Sequence, residues 1–206
     1  MEEQAKKLAD IGADYFMVDD DTRLITWVNG CYCPLHLEEF GSRTGRKWTR
    51  TELVEAIAKD DKIHEAWDTL LSDSIAPLME RIRSAFPRDI PGMFCCCQLD
   101  THHAARMAKI LAAPGQRPIV RINNGSYLSD SLRDSINRCV SETARQIADI
   151  GYDVTILDES DTCPHNRYST SATRVLNHFA LAAMEGVRGA KIWITNPLEH
   201  RSRKAY

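Results

Sequence analysis

The sequence predicts an α/β chain forming part of a (β/α)8 barrel, strands four to eight in five βα units, and three observations carry that reading. First, a helix ending in Ala-Asp-Ile-Gly followed by a short apolar strand and a run of acids occurs twice. One copy runs from Ala9 through Val18 into Asp19, Asp20 and Asp21, the other from Ala148 through Leu157 into Asp158, Glu159 and Ser160. Second, looser copies of the plan lie between them, so that strand and helix alternate five times. Third, the strands are apolar throughout, as expected when both faces are buried, and this favours a parallel sheet. A five-stranded doubly wound parallel sheet is the alternative. A complete barrel needs roughly 250 residues, so these 206 are expected to form one incomplete barrel domain, 1–206, without its opening units.

The elements follow in chain order. The first helix closes at Gly12 and the first strand ends at Val18. From about Pro34 to Ile90 the chain is helical: Thr49-Arg50-Thr51-Glu52 has the form of a capping box, and Pro77 and Pro87 suggest breaks into two or more helices. The second strand is Met93–Cys97. Ala105, Ala108, Ile110 and Leu111 mark the next helix, and Ile119–Ile122 the third strand, ending at Asn123 and Asn124. Leu132, Ile136, Val140, Ala144 and Ile147 form one apolar stripe, with Gly151 as a left-handed cap. The fourth strand is Tyr152–Leu157, and the fifth is Ala190–Ile194.

Composition excludes several classes. Hydrophobic residues make up 43% and charged residues 27%, ordinary values for a globular chain. The net charge is -3, from 26 basic and 29 acidic residues, and no basic run is long enough to follow a phosphate backbone, which argues against nucleic acid. No apolar run reaches membrane-span length and no secretory leader opens the chain. Seven cysteines, three of them consecutive, do not resemble a disulfide framework and point to a reducing, cytoplasmic setting.

Carboxylates at the ends of buried strands are costly unless solvated, paired or used. Two such clusters suggest a cleft with two acidic walls, the requirement for acid/base work on a glycosidic bond. Glu159, with Asp158 as its neighbour and alternative, is a candidate catalytic carboxylate of one wall. Asp20 or Asp21 is the expected proton donor, since a packed acidic triplet raises one member's pKa. Arg23, Asn123, Asn124, Arg167, Tyr168 and Trp193, near strand ends or in the following loops, are candidates for holding a substrate. His165 and Asn166 share the loop after Glu159. Cys95, Cys96 and Cys97 read as strand-filling residues, because no partner base is evident. His102 and His103 read as a polar helix start.

The stretch from Val18 to Phe40, with Gly30-Cys31-Tyr32-Cys33-Pro34-Leu35-His36, resembles the fourth-strand region of glycoside hydrolase family 42, the clan A β-galactosidases. The resemblance implies a retaining β-galactosidase-like glycosidase, inactive as an isolated fragment, with a carbohydrate substrate and a possible homo-oligomer in the full-length protein. Strand counting then puts Glu159 at the position of the family's nucleophile. In the family an Asn-Glu pair and Cys-x-Cys-x-x-Cys stand where this chain has Asp19-Asp20-Asp21 and Cys31-x-Cys33-x-x-His36. The resemblance therefore implies a structural zinc on Cys31, Cys33 and His36, with its fourth ligand upstream and no metal used in catalysis. Two other readings compete. Phe16-Met17-Val18-Asp19-x-Asp21 resembles the nucleophile strand of magnesium-dependent haloacid dehalogenase phosphatases, which would suit the doubly wound sheet. A degenerate barrel that binds carbohydrate without cleaving it is the other.

Overall fold

A computed structural model describes residues 2–19, 22, 24, 30–97, 101–123, 132–151, 153–161 and 171–193, leaving aside the side chains of 2, 102, 132–135, 138, 160, 161 and 193. Among the described residues twelve elements follow one another: α1 (Glu2–Asp10), β1 (Phe16–Val18), α2 (Pro34–Thr44), α3 (Arg50–Ile57), α4 (Asp61–Ser84), β2 (Gly92–Cys95), α5 (Thr101–Leu111), β3 (Ile119–Ile122), α6 (Leu132–Ile150), β4 (Thr155–Asp161), α7 (Ala172–Met184) and β5 (Gly189–Trp193). They divide into two compact units, Met1–Ala13 with Asp21–Arg88, and Asp14–Asp20 with Asp89–Tyr206.

The second unit carries the sheet. All neighbouring strands are parallel, and their order in space is their order in the chain, β1-β2-β3-β4-β5. Parallel crossovers are right-handed, so a sequential order lays the connecting helices of this unit, α5, α6 and α7, on the same face and curls the sheet as part of a barrel. A doubly wound sheet must reverse its strand order at a switch point. No reversal occurs here, and the partial (β/α)8 barrel is the fold.

Alternation of side chains along each strand then sorts the residues. Phe16, Val18, Phe94, Val120, Ile122 and Ile156, all buried, share the face on which the helices pack. α5 lies against β2 and β3, and α7 against β4. On the opposite face Cys95, Arg121, Leu157 and Gly189 form one row across the strands, and Glu159 stands beside Lys191 one step further on.

The helices differ from the expected stripes by a rotation. α6 buries Cys139, Thr143, Gln146, Ile147 and Ile150, while Ile136 and Ala144 are exposed and Val140 is half-buried. Gln146 enters this stripe because its Nε2 donates to the carbonyl of Asn123 at 2.9 Å, a contact an apolar residue could not make. α5 likewise buries Ala104, Met107, Ala108 and Leu111, together with His103. Gly12 and Gly151 are left-handed caps, with φ of 77° and 86°, and the Gly151 amide donates to the Ile147 carbonyl at 2.9 Å.

The first unit is helical. Its core is Tyr32, Phe40, Leu53, Ile57, Trp67, Leu70 and Leu71. Trp67 is central, stacked on Tyr32 at 5.1 Å and meeting Phe40 edge-on at 5.2 Å. The capping box at α3 is present, Glu52 N donating to Thr49 Oγ1 at 3.3 Å and Thr49 N donating to Glu52 Oε2 at 2.9 Å. Pro77, in contrast, breaks nothing. It lies inside α4, a helix of 24 residues. An interior proline costs about 3 kcal/mol, but α4 buries Trp67, Leu70, Leu71, Ile75, Ala76, Met79 and Ile82, and each large buried side chain contributes about 1.5–3 kcal/mol. Packing therefore outweighs the lost hydrogen bond. No described helix is long and apolar enough to cross a membrane.

Candidate functional site

The non-helical face of the sheet carries a line of charges at the carboxyl ends of its strands. Arg121, in the middle of β3, has a side chain only 1% exposed. Its Nη1 donates to Glu159 Oε2 at 2.7 Å, and its Nη2 donates to Asp19 Oδ1 at 2.6 Å. Glu159 is held further by Asn123 Nδ2 at 2.9 Å on the same oxygen and by Lys191 Nζ at 2.8 Å on Oε1. Asp19 and Lys191 thus stand at the two ends of one bridge, Asp19–Arg121–Glu159–Lys191, drawn from β3, β4, β5 and the residue after β1. Burying an ion pair gains little over an apolar core, but removing one partner of such a pair costs about 3–5 kcal/mol. The bridge is therefore a strong local constraint on where the strand ends sit.

Exposure distinguishes its members. The Glu159 side chain is 5% exposed and Lys191 26%, whereas Asp19 is 60% exposed. Of the two carboxylates, Asp19 is the one that solvent reaches. Cys95, level with Arg121, is fully buried, and burial pushes its thiol up to about 11. That agrees with a strand-filling role.

Asp158, next to Glu159, faces the helices. It is fully buried and paired with His178 Nε2 of α7. Burial pulls the His178 imidazole down, but the Asp158 carboxylate and the Cys139 thiol outweigh it and push the pKa up to about 9. Burial in turn raises the Asp158 carboxyl against the pull of His178. Asp158 therefore fastens α7 to β4, while Glu159 joins the opposite face. This corrects two expectations. The strand does not stop before its acids, because both find cationic partners and β4 continues to Asp161. The register also differs by one position from the repeat, which matches Val18 to Leu157: in the sheet Val18, Phe94, Val120 and Ile156 share one row. A one-residue slip exchanges faces, and Asp19 is the acid that shares the Arg121 bridge with Glu159.

Asn123 lies at the site, as expected. Asp20, Asp21, Arg23, Asn124, His165, Asn166, Arg167 and Tyr168 lie outside the described residues, as does the side chain of Trp193, whose backbone ends β5. Arg121, Lys191 and His178 were not singled out from the sequence. The available signal was a single basic residue within an otherwise apolar strand, Ile-Val-Arg-Ile and Ala-Lys-Ile-Trp.

In the first unit, Cys31, Cys33 and His36 come together, each half-buried, with one ligand atom from each within 4.8 Å of the others. Cys33 is the N-cap of α2, and its thiol is lowered, first by the backbone amide of His36. His36 Nδ1 lies 3.3 Å from Cys33 Sγ, and His36 Nε2 lies 3.2 Å from Ser74 Oγ. Ser74 Oγ donates to the Leu70 carbonyl at 2.9 Å. It must therefore accept from Nε2–H, which leaves the Nδ1 lone pair towards the thiols, the arrangement that a metal-binding imidazole requires.

No protein-family model matches the chain, and no curated protein sequence matches it. Among solved structures, a candidate phosphonomutase from Burkholderia cenocepacia J2315 is similar at a TM-score of 0.44 and 12% identity, over 93% of this chain and 65% of that one. The chain thus spans less than two thirds of that protein's length. The expected resemblance to glycoside hydrolase family 42 is thereby corrected: no family model and no curated protein supports it. Neither the β-galactosidase-like glycosidase activity nor the carbohydrate-binding barrel is supported by any match, and the haloacid dehalogenase phosphatase also loses the doubly wound sheet it would suit. The physical reason is plain in the site. The resemblance rested on a short cysteine motif and on counting strands, whereas Glu159, the expected nucleophile, is buried and engaged by three donors.

Proposed function

We propose that the carboxyl-end face of the sheet is the proton-transfer site of a barrel enzyme acting on a small carbonyl compound with an acidic C–H. The observation that carries the reading is the Asp19–Arg121–Glu159–Lys191 bridge, which ends in a solvent-reached carboxylate on one side and a partly exposed ammonium on the other. Barrel enzymes work at this end of their strands. Asp19 would take the proton from carbon as general base. Lys191 would donate a hydrogen bond to the carbonyl oxygen as it gains negative charge. Arg121 and Glu159 would hold those two groups at a fixed separation, the buried pair moving little between ground and transition states.

Solvent exchange tests this directly. The protein, incubated in D2O with a panel of small keto acids, aldehydes and ketones, should replace the acidic C–H of at least one compound by deuterium, followed by proton NMR. Asp19→Asn should abolish the exchange. Lys191→Met should slow it by about 10²–10³-fold, the usual effect of losing one oxyanion donor. No exchange above the buffer rate across the panel, or exchange unchanged in Asp19→Asn, would overturn the proposal.

A second observation supports a metal. Cys31, Cys33 and His36 fit zinc: thiolate and imidazole are its ligands, and a tetrahedral ion with bonds of about 2.3 and 2.0 Å separates its ligand atoms by about 3.5–3.8 Å. Cys33 Sγ and His36 Nδ1 are 3.3 Å apart and all three ligand atoms lie within 4.8 Å of one another, so reaching those separations takes shifts of about 1 Å. The ion would tie the chain before α2 to the first turn of that helix. Elemental analysis of protein purified without chelator should find about one zinc per chain and much less in Cys33→Ser; metal-free wild-type protein would return the three residues to an ordinary thiol–imidazole contact.

A further inference from the structure

A cavity of 620 Å³ lies along α2 in the first unit, with Leu37, Gly41 and Gly45 on one side and Arg46, Lys47 and Trp48 on the other. Its size is that of a small-molecule pocket. Gly41 lets the returning chain pack close against α2: a Cβ there would lie 2.9 Å from the Arg46 carbonyl oxygen. Gly45, left-handed at φ 72°, ends α2 and turns the chain back along it. Trp48 is fixed from two sides, its Nε1 donating to Thr44 Oγ1 at 2.8 Å and its ring leaning on the buried Phe40 at 5.7 Å. The Arg46 guanidinium lies over that ring, 3.7 Å from its centre.

Stacking engages the face of a guanidinium and leaves the N–H donors in its plane. Among the described residues Arg46 makes no hydrogen bond or ion pair, and it acts on Glu52 only through its field. The lining also holds one carboxylate, Glu38, but a cation stacked on a fixed ring, a second cation at Lys47 and an apolar wall at Leu37 outweigh it and together match one class of ligand. We propose that this groove binds a small organic anion, a carboxylate on a flat apolar body, with the carboxylate on the Arg46 edge and the body along Leu37 and Gly41. The site is separate from the strand-end charges and does not depend on their role.

The test uses 2-naphthoate and its neutral counterpart 2-naphthamide as probes, read by the Trp48 indole N–H signal in proton–nitrogen NMR and assigned with Trp48→Phe. A ligand of this size is expected to bind in the millimolar range. 2-Naphthoate should shift the Trp48 signal saturably, and 2-naphthamide should bind about tenfold more weakly. Arg46→Ala with Lys47→Ala, both surface changes, should weaken 2-naphthoate to the level of the amide. Equal binding of the two probes, binding unchanged in the double variant, or no shift of Trp48 at about 10 mM probe would each overturn the proposal.

Discussion

Replacing His178 by Gln should remove a pH-dependent part of the stability whose size follows from the geometry. His178 is 10% exposed, and its partner Asp158 is fully buried. The pair holds the imidazole at about 9, against its ordinary 6.5. Because the folded-state pKa is raised, the contribution is fully present below pH 6.5 and is lost as pH rises through about 9. One pKa unit corresponds to about 1.4 kcal/mol, so the window accounts for about 3 kcal/mol. The raised Asp158 carboxyl acts in the same direction, since the folded state also holds that proton more tightly. The assay is urea unfolding of wild type and His178→Gln at intervals from pH 6 to 9.5, followed by circular dichroism. Across the window wild type should lose up to about 3 kcal/mol more than the variant, the difference being smaller to the extent that Asp158, without its imidazole, titrates higher in the variant. Parallel stability curves, or an imidazole NMR titration midpoint near 6.5, would refute the account of this pair.

Three smaller predictions follow from the first unit and the site. Pro77→Ala restores a helix hydrogen bond at an exposed position of α4 and should stabilise the protein by about 1–2 kcal/mol, the helix gain exceeding the entropy returned to the unfolded chain; a lower melting temperature would show that the helix is adapted to its proline. Thr49→Ala removes the capping box of α3 and should cost about 1 kcal/mol by chemical denaturation, with no change meaning that water caps the helix equally well. Asp19→Asn, on a side chain 60% exposed, keeps an acceptor for Arg121 Nη2 and leaves the buried Glu159 as its counter-charge, so it should change stability by less than about 1 kcal/mol, unlike loss of Glu159 itself; a larger loss would make Asp19 a structural residue rather than a working one.

The sequence revealed the fold more readily than the site, and the reason is physical. Alternation of apolar strands with helical stripes records burial, and burial decides architecture: the third strand is found as expected at Ile119–Ile122, and the other four overlap their expected ranges. Ends and faces are less legible. Asp158 and Glu159 read as a strand terminus because acids are rarely buried, yet each is satisfied by a partner distant in the chain, His178 for one and Arg121 with Lys191 for the other. Only the fold reveals such partners. Pro77 read as a break because propensity is local, whereas the buried face of α4 is not. Cys31, Cys33 and His36 were legible as a cluster because a short spacing brings them together whatever the rest of the chain does.

The joining of the two acidic strand ends through Arg121 is the claim on which the proposed site depends, and a double-mutant cycle measures it. Arg121→Met and Glu159→Gln should each destabilise the protein by about 3–5 kcal/mol, since each leaves a buried charge without one of its partners. The double variant should be more stable than the sum of the two losses predicts by at least about 1.5 kcal/mol. Coupling of that size would place Arg121 and Glu159 in direct contact at the carboxyl end of the sheet, as described; losses that add to within about 0.5 kcal/mol would contradict it.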